Sequence, residues 1–134
     1  MIAYEDGSAA MDWLARAFGF HERTRMLDAT GRLTHGEMDT GGGLIMLATP
    51  SQHYESPRHH REVCERARQW SAVPWVIDGA LVYVDDLEAH HRRAVDGGAG
   101  MLSEIEDGGP GKGYRAEDLE GHRWMFMQRA SGST

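Results

Sequence analysis

The segment that decides the fold is YRAEDLEGHRWMF, from Tyr114 to Phe126. Its acidic centre closes on Gly121, and glycine readily takes the positive φ that a tight turn requires. Side chains after the turn alternate between the two faces of a strand. One face carries His122, Trp124, Phe126 and Gln128, and the other carries Arg123, Met125 and Met127. The segment therefore predicts a turn followed by a half-buried strand.

Much of the chain also repeats itself. An offset of 79 positions aligns Tyr4 with Tyr83, Asp6 with Asp85, Ala10 with Ala89, Ala15 with Ala94 and Gly19 with Gly98. Both copies consist of a short apolar strand, an acidic N-cap region, an amphipathic helix and a glycine stop. The repeat predicts two copies of one structural unit.

The helices of the two copies have recognisable ends. The first is predicted to begin at Ser8 as its N-cap and to end at Gly19 in a left-handed C-cap. Its apolar face is formed by Met11, Leu14 and Phe18. The second is predicted to begin near Asp85 or Asp86 and to stop at Gly97-Gly98.

Strands separated by glycine-rich turns follow each helix. The predicted strands are Arg23 to Leu27, Leu33 to Asp39, Leu44 to Thr49, Met101 to Ile105, Gly113 to Ala116 and Arg123 to Gln128. The pattern predicts an α+β fold of two βαβββ modules in a single domain. Module one covers about 1–49, a connector 50–76, module two 77–130 and a short tail 131–134.

The connector differs from both modules. Ser56 followed by Pro57 is a typical N-cap and first helical residue. Val63, Ala67 and Trp70 then recur at i, i+4 and i+7, so we predict one helix within Pro57 to Trp70. This helix either buttresses the two modules or forms a lid over a ligand pocket.

Composition excludes several classes of partner. The 134 residues carry a net charge of −7, from 14 basic and 21 acidic residues, without a basic stripe, which argues against nucleic-acid binding. No apolar run approaches the roughly 20 residues of a membrane span. There is no visible export signal, and the single Cys64 cannot form an internal disulfide. We therefore expect a soluble, cytoplasmic protein with no nucleic-acid or membrane partner.

The two βαβββ modules, the segment YEDGSAAMDWLARAFGF and the closing EGHRWMF resemble the vicinal oxygen chelate superfamily. This group includes glyoxalase I, fosfomycin-resistance proteins, extradiol dioxygenases and bleomycin-resistance proteins. The resemblance implies the glyoxalase/bleomycin-resistance fold, with curved mixed sheets whose convex sides carry the helices and whose concave sides enclose a cavity. It also implies a homodimer, in some members with cavities shared between subunits. It does not fix the reaction, because one fold hosts many activities.

The resemblance further indicates where metal enzymes of the superfamily place their His, Gln or Glu ligands. These positions fall at Gly79 and Met125 in module two and near Met46 in module one, while the remaining one falls before Met1. Glycine offers no side chain, and a thioether prefers soft metals. The chain is therefore most similar to the metal-free, bleomycin-resistance-like members, and we expect no metal and no cofactor.

Strand parity then selects the residues that line the cavity. The predicted ligand-binding residues are Tyr4, His35, Glu37, Met46, Tyr83, Arg123 and Met125. Trp124 is predicted to face the helices instead. His35 and Glu37, two apart on one strand, are also the best candidates for catalysis, since a histidine beside a carboxylate can exchange a proton near neutral pH. The alternative is a solvent-exposed polar pair.

These observations predict metal-free binding or sequestration of a small organic molecule. The acidic balance, the tyrosines and the methionines favour a planar or cationic ligand, although Arg123 could hold a carboxylate or phosphate. One alternative is an enzyme of the lyase, isomerase or dioxygenase type, which would use unrecognised metal ligands or His35 and Glu37 as acid and base. Another is a structural or regulatory partner module.

Overall fold

Each half of the chain forms one sheet and one long helix, with a helical connector between them. The structure is a computed structural model that describes residues 1–74, 78–109 and 111–130. Module one contains β1 (Ile2–Ala3), α1 (Gly7–Phe18), β2 (His21–Leu27), β3 (Leu33–Asp39) and β4 (Leu44–Ala48). The connector contains α2 (Pro57–Val63) and α3 (Glu65–Ser71). Module two contains β5 (Gly79–Tyr83), α4 (Leu87–Asp96), β6 (Gly100–Met101), β7 (Glu106–Gly108), β8 (Gly111–Glu117) and β9 (Arg123–Arg129).

The two sheets have the same strand order, which confirms the predicted α+β fold. Sheet 1 is ordered β1-β4-β3-β2, and sheet 2 is ordered β5-β9-β8-β6, with β7 also paired to β8. In each sheet the first strand of the module runs parallel to the last, and the other pairs are antiparallel. The repeat in the sequence therefore corresponds to two equivalent modules.

The helix ends correct one predicted cap and confirm two others. Asp6, not Ser8, is the N-cap of α1, because its carboxylate accepts a hydrogen bond from the amide of Ala9 at 3.1 Å and Ser8 lies inside the helix. Asp86 caps α4 by the equivalent bond. At the end of α1, Gly19 has φ 75°, the predicted left-handed cap.

The helix ends also show that the repeat changes its offset within the module. The two N-caps, Asp6 and Asp86, are 80 positions apart, whereas the left-handed glycines, Gly19 and Gly98, are 79 apart. An offset of 79 therefore aligns the left-handed glycines but places the first strands one residue out of register. A shift of one residue moves every strand side chain to the opposite face.

This shift decides the position of Tyr4. The amide of Tyr4 donates to the carbonyl of Ala48, and the equivalent bond in module two is made by Val84 to Met127, not by Tyr83. Tyr4 is accordingly 0 % exposed in the core, whereas Tyr83 is 43 % exposed on the opposite side of its sheet. Tyr4 therefore does not share a surface with Tyr83, contrary to the interpretation of the repeat.

The core lies between the two sheets. One cluster of apolar side chains includes residues of α1, α4 and both sheets. Phe18, at the end of α1, packs against Trp124 and Phe126 of β9, with ring centroids 5.8 and 4.7 Å apart. The prediction that Trp124 faces the helices is confirmed. Because the helix sides of both sheets meet in this core, the other face of each sheet points away from it.

An equivalent turn follows β2 in module one and β8 in module two. Each begins with an aspartate whose Oδ1 accepts two backbone amides, and each contains a glycine with φ of 87° or 89°. The two turns are Asp28 to Arg32 and Asp118 to His122. Around Asp28 the turn is largely exposed, whereas Asp118 is buried. The same local structure is thus a surface turn in one module and an internal one in the other.

Module two differs from the predicted strands between α4 and β8. The predicted strand Met101 to Ile105 is wrong, because β6 ends at Met101 and β7 begins only at Glu106. The amide of Arg115, in the facing strand, donates to the hydroxyl of Ser103 at 3.0 Å. A side chain thus takes the place of a backbone carbonyl and ends the ladder.

The connector forms two helices rather than the predicted one. Ser56 is the N-cap, as predicted, and accepts from the amide of His59 at 3.2 Å. Cys64, however, has an extended backbone with φ −134° and ψ 117°, which breaks the helix. The apolar spacing continues across this break, so the sequence contains no signal for it. Among the helices that the structure describes, none is long and apolar enough to cross a membrane.

Candidate functional site

The candidate site lies on the sheet faces that point away from the helices. Face 1, on sheet 1, carries Thr24, Met26, His35, Glu37, Asp39, Leu44 and Met46. Face 2, on sheet 2, carries Gly79, Leu81, Tyr83, Gly113, Arg115, Arg123, Met125 and Met127. Met26, Leu44, Met46, Leu81 and Tyr83 are among the large apolar residues that remain exposed. These faces are therefore apolar surfaces with a few charged groups.

His35 and Glu37 form a hydrogen-bonded pair near the middle of face 1. The two side chains are each 29 % exposed, and the distance from Nε2 of His35 to Oε2 of Glu37 is 2.7 Å. Met26 of β2 and Met46 of β4 are their cross-strand neighbours. The prediction that the pair shares a face is confirmed. Such a pair can orient a polar group of a ligand or exchange a proton with it.

Arg123 lies on face 2 as predicted, but all three nitrogens of its guanidinium donate hydrogen bonds within the protein. It is only 5 % exposed. Its Nε donates to Glu117 at 3.2 Å, and its two terminal nitrogens donate to the carbonyls of Ser71 and Val73 in the connector. Glu117 also accepts hydrogen bonds from both terminal nitrogens of Arg61 in α2, at 2.8 and 3.0 Å. Arg123 and Glu117 therefore anchor the connector to sheet 2.

Sequence reasoning missed Arg115, which lies beside Met125 on face 2. The two residues are partners in the β8–β9 ladder and together line two shallow grooves of about 140 and 290 Å³. None of the ion pairs in the described part of the chain involves Arg115. The turn closed by Gly121 sets the register of the hairpin formed by β8 and β9. Counting back from this turn in the sequence could have placed Arg115 opposite Met125.

Tyr4 belongs to a buried hydrogen-bond centre at Asp118. The carboxylate of Asp118 accepts from the hydroxyl of Tyr4 at 2.7 Å and from Nε1 of Trp124 at 3.0 Å. It also accepts the amides of Glu120 and His122, each at 3.0 Å. Burial and the neighbouring Asp118 carboxylate raise the pKa of Tyr4 well above its ordinary value. Tyr4 therefore links the two modules and lies outside the candidate site.

One chain does not bring the remaining predicted residues together. His35, Glu37 and Met46 lie on face 1, and Tyr83, Arg123 and Met125 lie on face 2. The helices and the core lie between these faces. The two faces of a single chain thus point away from each other instead of enclosing a common cavity.

The residues at the metal positions that the resemblance implies would not fit a hard divalent ion. Gly79 has no side chain, and Met46 and Met125 offer only thioethers. Across residues 1–74, 78–109 and 111–130, no three His, Cys, Asp or Glu side chains are grouped as metal ligands. The chemistry available on the faces is therefore that of the His35–Glu37 pair, the guanidinium of Arg115 and the apolar side chains.

Comparisons with known proteins agree with this fold. The chain matches the model of the Glyoxalase/Bleomycin resistance protein/Dioxygenase superfamily over residues 1–126. Its structure is similar to that of TioX from Micromonospora sp. ML1, which is 32 % identical, with a TM-score of 0.69 over 99 % of this chain and 95 % of TioX.

Two further solved structures share the fold at low sequence identity. TnmS3, an antibiotic binding protein from Streptomyces sp. CB03234, is 16 % identical, with a TM-score of 0.63 over 96 % of this chain and 91 % of TnmS3. The bleomycin-binding protein of Streptomyces verticillus, solved with copper(II)-bleomycin, is 14 % identical, with a TM-score of 0.59 over 96 % of this chain and 92 % of that protein. The family match over nearly the whole sequence is the decisive result: the chain belongs to the Glyoxalase/Bleomycin resistance protein/Dioxygenase superfamily.

Proposed function

We propose that the protein binds a small planar organic molecule on its outward sheet faces, without a metal, and acts by sequestration. The observation that carries this proposal is the concentration of exposed apolar side chains on faces 1 and 2. Contiguous apolar patches on a protein surface typically mark an interface or a ligand site. Methionine adapts its shape to a ligand, and Tyr83 offers an aromatic ring for stacking.

A second copy of the chain is the proposed cover for these faces. Face 1 carries the carboxylates Glu37 and Asp39. Face 2 carries the guanidinium groups of Arg115 and of Arg129, which is stacked on Tyr83 at 3.8 Å, and one exposed carboxylate, that of Glu106. Opposite charges favour contact between face 1 of one copy and face 2 of the other. A twofold axis makes two such contacts and hence two equal cavities. Each cavity would combine the His35–Glu37 pair of one subunit with face 2 of its partner.

Two of the solved structures support binding of a small molecule. TnmS3 is an antibiotic binding protein, and the Streptomyces verticillus protein binds bleomycin. Both have the fold of this chain. Sequestration of an antibiotic-like molecule, without turnover, is therefore the function that the two apolar faces support best.

The dimer and the binding can be tested separately. Light scattering coupled to size-exclusion chromatography should give twice the mass of one chain, and a monomer at tens of micromolar would contradict the proposed cavity. The planar cation acridine orange should bind at one equivalent per chain in a calorimetric titration. Absence of binding by acridine orange, by neutral planar molecules and by planar anions would overturn the function and favour a partner module.

The charge of Glu37 provides a sharper test with a matched control. Glu37→Gln should weaken binding of the cationic probe by roughly 1–3 kcal/mol, the cost of losing a charge-assisted hydrogen bond. Glu62→Gln, at an exposed position of α2, should leave the affinity unchanged. Equal effects of the two variants would mean that only the overall charge of the chain matters.

An enzyme is the second candidate, and the hydrogen bond between His35 and Glu37 is the observation that favours it. A bound molecule with an acidic proton could lose it to this pair. Mass spectrometry of ligands after incubation with the protein distinguishes the two functions. A product formed by the wild type but not by His35→Gln or Glu37→Gln would replace sequestration with catalysis. Tight 1:1 binding of nickel, manganese, zinc or iron would contradict the metal-free proposal.

A further inference from the structure

Positive charge gathers on face 2 although the whole chain carries a net charge of −7. The guanidinium groups of Arg61 and Arg123 share the single carboxylate of Glu117, so this cluster keeps one net positive charge. Arg115 lies next to it in the same sheet, since β8 pairs Arg115 with Met125 and Glu117 with Arg123. Of the two grooves that Arg115 lines, the smaller one also includes Glu106, whereas none of the described residues that line the larger one is acidic. The larger groove is therefore electropositive.

Of these guanidinium groups, that of Arg115 is the one without a carboxylate partner among the described residues. Arg61 donates both terminal nitrogens to Glu117, and Arg123 donates to Glu117 and to two connector carbonyls. Arg115 is half-buried and has no ion pair among the described residues. A guanidinium presents a planar fork of donors that matches the oxygens of a carboxylate, sulfonate or phosphate. A ligand or subunit that covered this guanidinium without offering it an anionic group would bind less favourably. The charge would lose its contacts with water and gain no hydrogen bond in return.

The surroundings of Arg115 add the apolar part of the site. The larger groove, of about 290 Å³, is lined by Leu81, Met125 and the backbone of Gly79 as well as by Arg115. Tyr83 follows Leu81 on the same face of β5. An aromatic framework can lie on this surface while an attached anionic group reaches the guanidinium.

We infer that Arg115 binds the anionic group of an aromatic acid, in which a carboxylate, sulfonate or phosphate is joined to a planar framework. This inference rests on the proposed binding of planar molecules at the outward faces and narrows the ligand class. From the sequence alone, Arg123 is the group that could hold a carboxylate or phosphate. We assign this role to Arg115 instead, because Arg123 is hydrogen-bonded to the connector.

Two fluorescent probes with the same framework test the inference. 8-Anilinonaphthalene-1-sulfonate carries a sulfonate, and N-phenyl-1-naphthylamine is its neutral counterpart. Arg115→Gln should weaken binding of the sulfonate by roughly tenfold to a hundredfold, as expected for the loss of a charge-assisted hydrogen bond. The same substitution should change the affinity of the neutral probe less than about twofold. Arg92→Gln, at an exposed position on α4, should leave both affinities unchanged.

Labelled methionine methyl groups locate the bound probe. In a carbon–proton correlation spectrum, the sulfonate should shift the signals of Met125 and Met127, assigned through single Met→Leu variants. It should not shift those of Met11 and Met38, which are buried in the core.

The outcomes separate the two levels of the proposal. If both probes bind and Arg115→Gln changes neither affinity, the proposed binding of planar molecules on the sheet faces stands, and the role of Arg115 is overturned. If the variant weakens both probes equally, or converts a dimer into monomers, Arg115 supports the fold or the interface and the inference also fails. If neither probe binds the wild type, the proposed function fails and this inference fails with it.

Discussion

The hydroxyl of Tyr4 donates a hydrogen bond of 2.7 Å to Oδ2 of Asp118, across 114 positions of sequence. This bond joins the N-terminal end of module one to the turn between β8 and β9 of module two. Both side chains are buried, and the Asp118 carboxylate also accepts from the Trp124 ring and two backbone amides. The two modules are therefore joined by a buried polar contact as well as by the apolar core.

The contribution of this hydrogen bond can be measured with Tyr4→Phe. The variant keeps the ring in the core and removes one hydrogen bond to a charged group, so the free energy of unfolding should fall by about 1.5–3 kcal/mol. Urea denaturation gives this value. Tyr83→Phe removes an exposed hydroxyl and should change stability by less than about 0.5 kcal/mol. Equal stability of the two variants would show that the buried bond contributes nothing.

The alternation of β9 gives a second prediction. Trp124→Ala should lower the free energy of unfolding by roughly 3–5 kcal/mol, because the ring fills the helix-facing core. Met125→Ala, on face 2, should cost far less and should weaken ligand binding instead. An unchanged melting temperature together with lost binding in Trp124→Ala would mean that the two faces of β9 had been assigned the wrong way round.

The crossing of α1 and α4 gives a third. A Cβ added at Gly97 would lie 2.5 Å from Cβ and 2.8 Å from Cα of Ala17, so the helices would have to move apart. Gly97→Ala should therefore destabilise the protein by roughly 1–3 kcal/mol. Gly42→Ala is the control, because a Cβ there meets nothing within 4 Å and φ is not positive. Thermal unfolding that ranks Gly42→Ala below Gly97→Ala would contradict the close contact.

The pH dependence of stability gives a fourth, through His90. Its Nε2 must donate to the carbonyl of Phe18 at 2.9 Å, and its Nδ1 lies 2.6 Å from the hydroxyl of Tyr114, which donates to it when the ring is neutral. Burial lowers the pKa of His90. The unfolded chain therefore takes up a proton at a higher pH than the folded chain, and stability should decrease as the pH falls below about 6.5.

The size of this effect is bounded by one proton, at most about 1.4 kcal/mol per pH unit. Urea denaturation between about pH 7.5 and 5 gives the free energy of unfolding at each pH. The contribution of His90 is the difference between the wild type and His90→Gln in the slope of this free energy against pH. Glu120 acts in the opposite direction, because burial raises the pKa of its carboxyl, but its contribution is common to both proteins and cancels in the difference. Parallel slopes would exclude His90 as the titrating group.

Local signals predicted much of the fold. The bounds of β3 agree with the predicted strand Leu33 to Asp39, and the faces of β9 follow the alternation after Gly121. The left-handed cap at Gly19 was also predictable. Each of these features depends on neighbouring residues only, since a strand alternates with period two and glycine alone takes such φ values freely.

The remaining differences arise from contacts distant in sequence. The first strands are displaced by one residue relative to the left-handed glycines that follow the helices, which places Tyr4 in the core instead of on the predicted surface. The connector carbonyls that engage Arg123 lie about fifty positions away, so a local pattern could identify its face but not its partners. The importance of Arg115 became apparent only once Arg123 was seen to be engaged.

The equivalent turns at Asp28 and Asp118 bear on the order of folding. Around Asp28, hydrogen bonds from Thr30 and Arg32 lower the pKa of the carboxyl to about 2 without any help from burial, so the turn is complete from local contacts alone. The Asp118 turn can likewise form before the modules meet and offer its second carboxylate oxygen ready for Tyr4. We therefore expect module docking to follow turn formation, in which case removal of the Tyr4 hydroxyl should speed unfolding while leaving the folding rate almost unchanged.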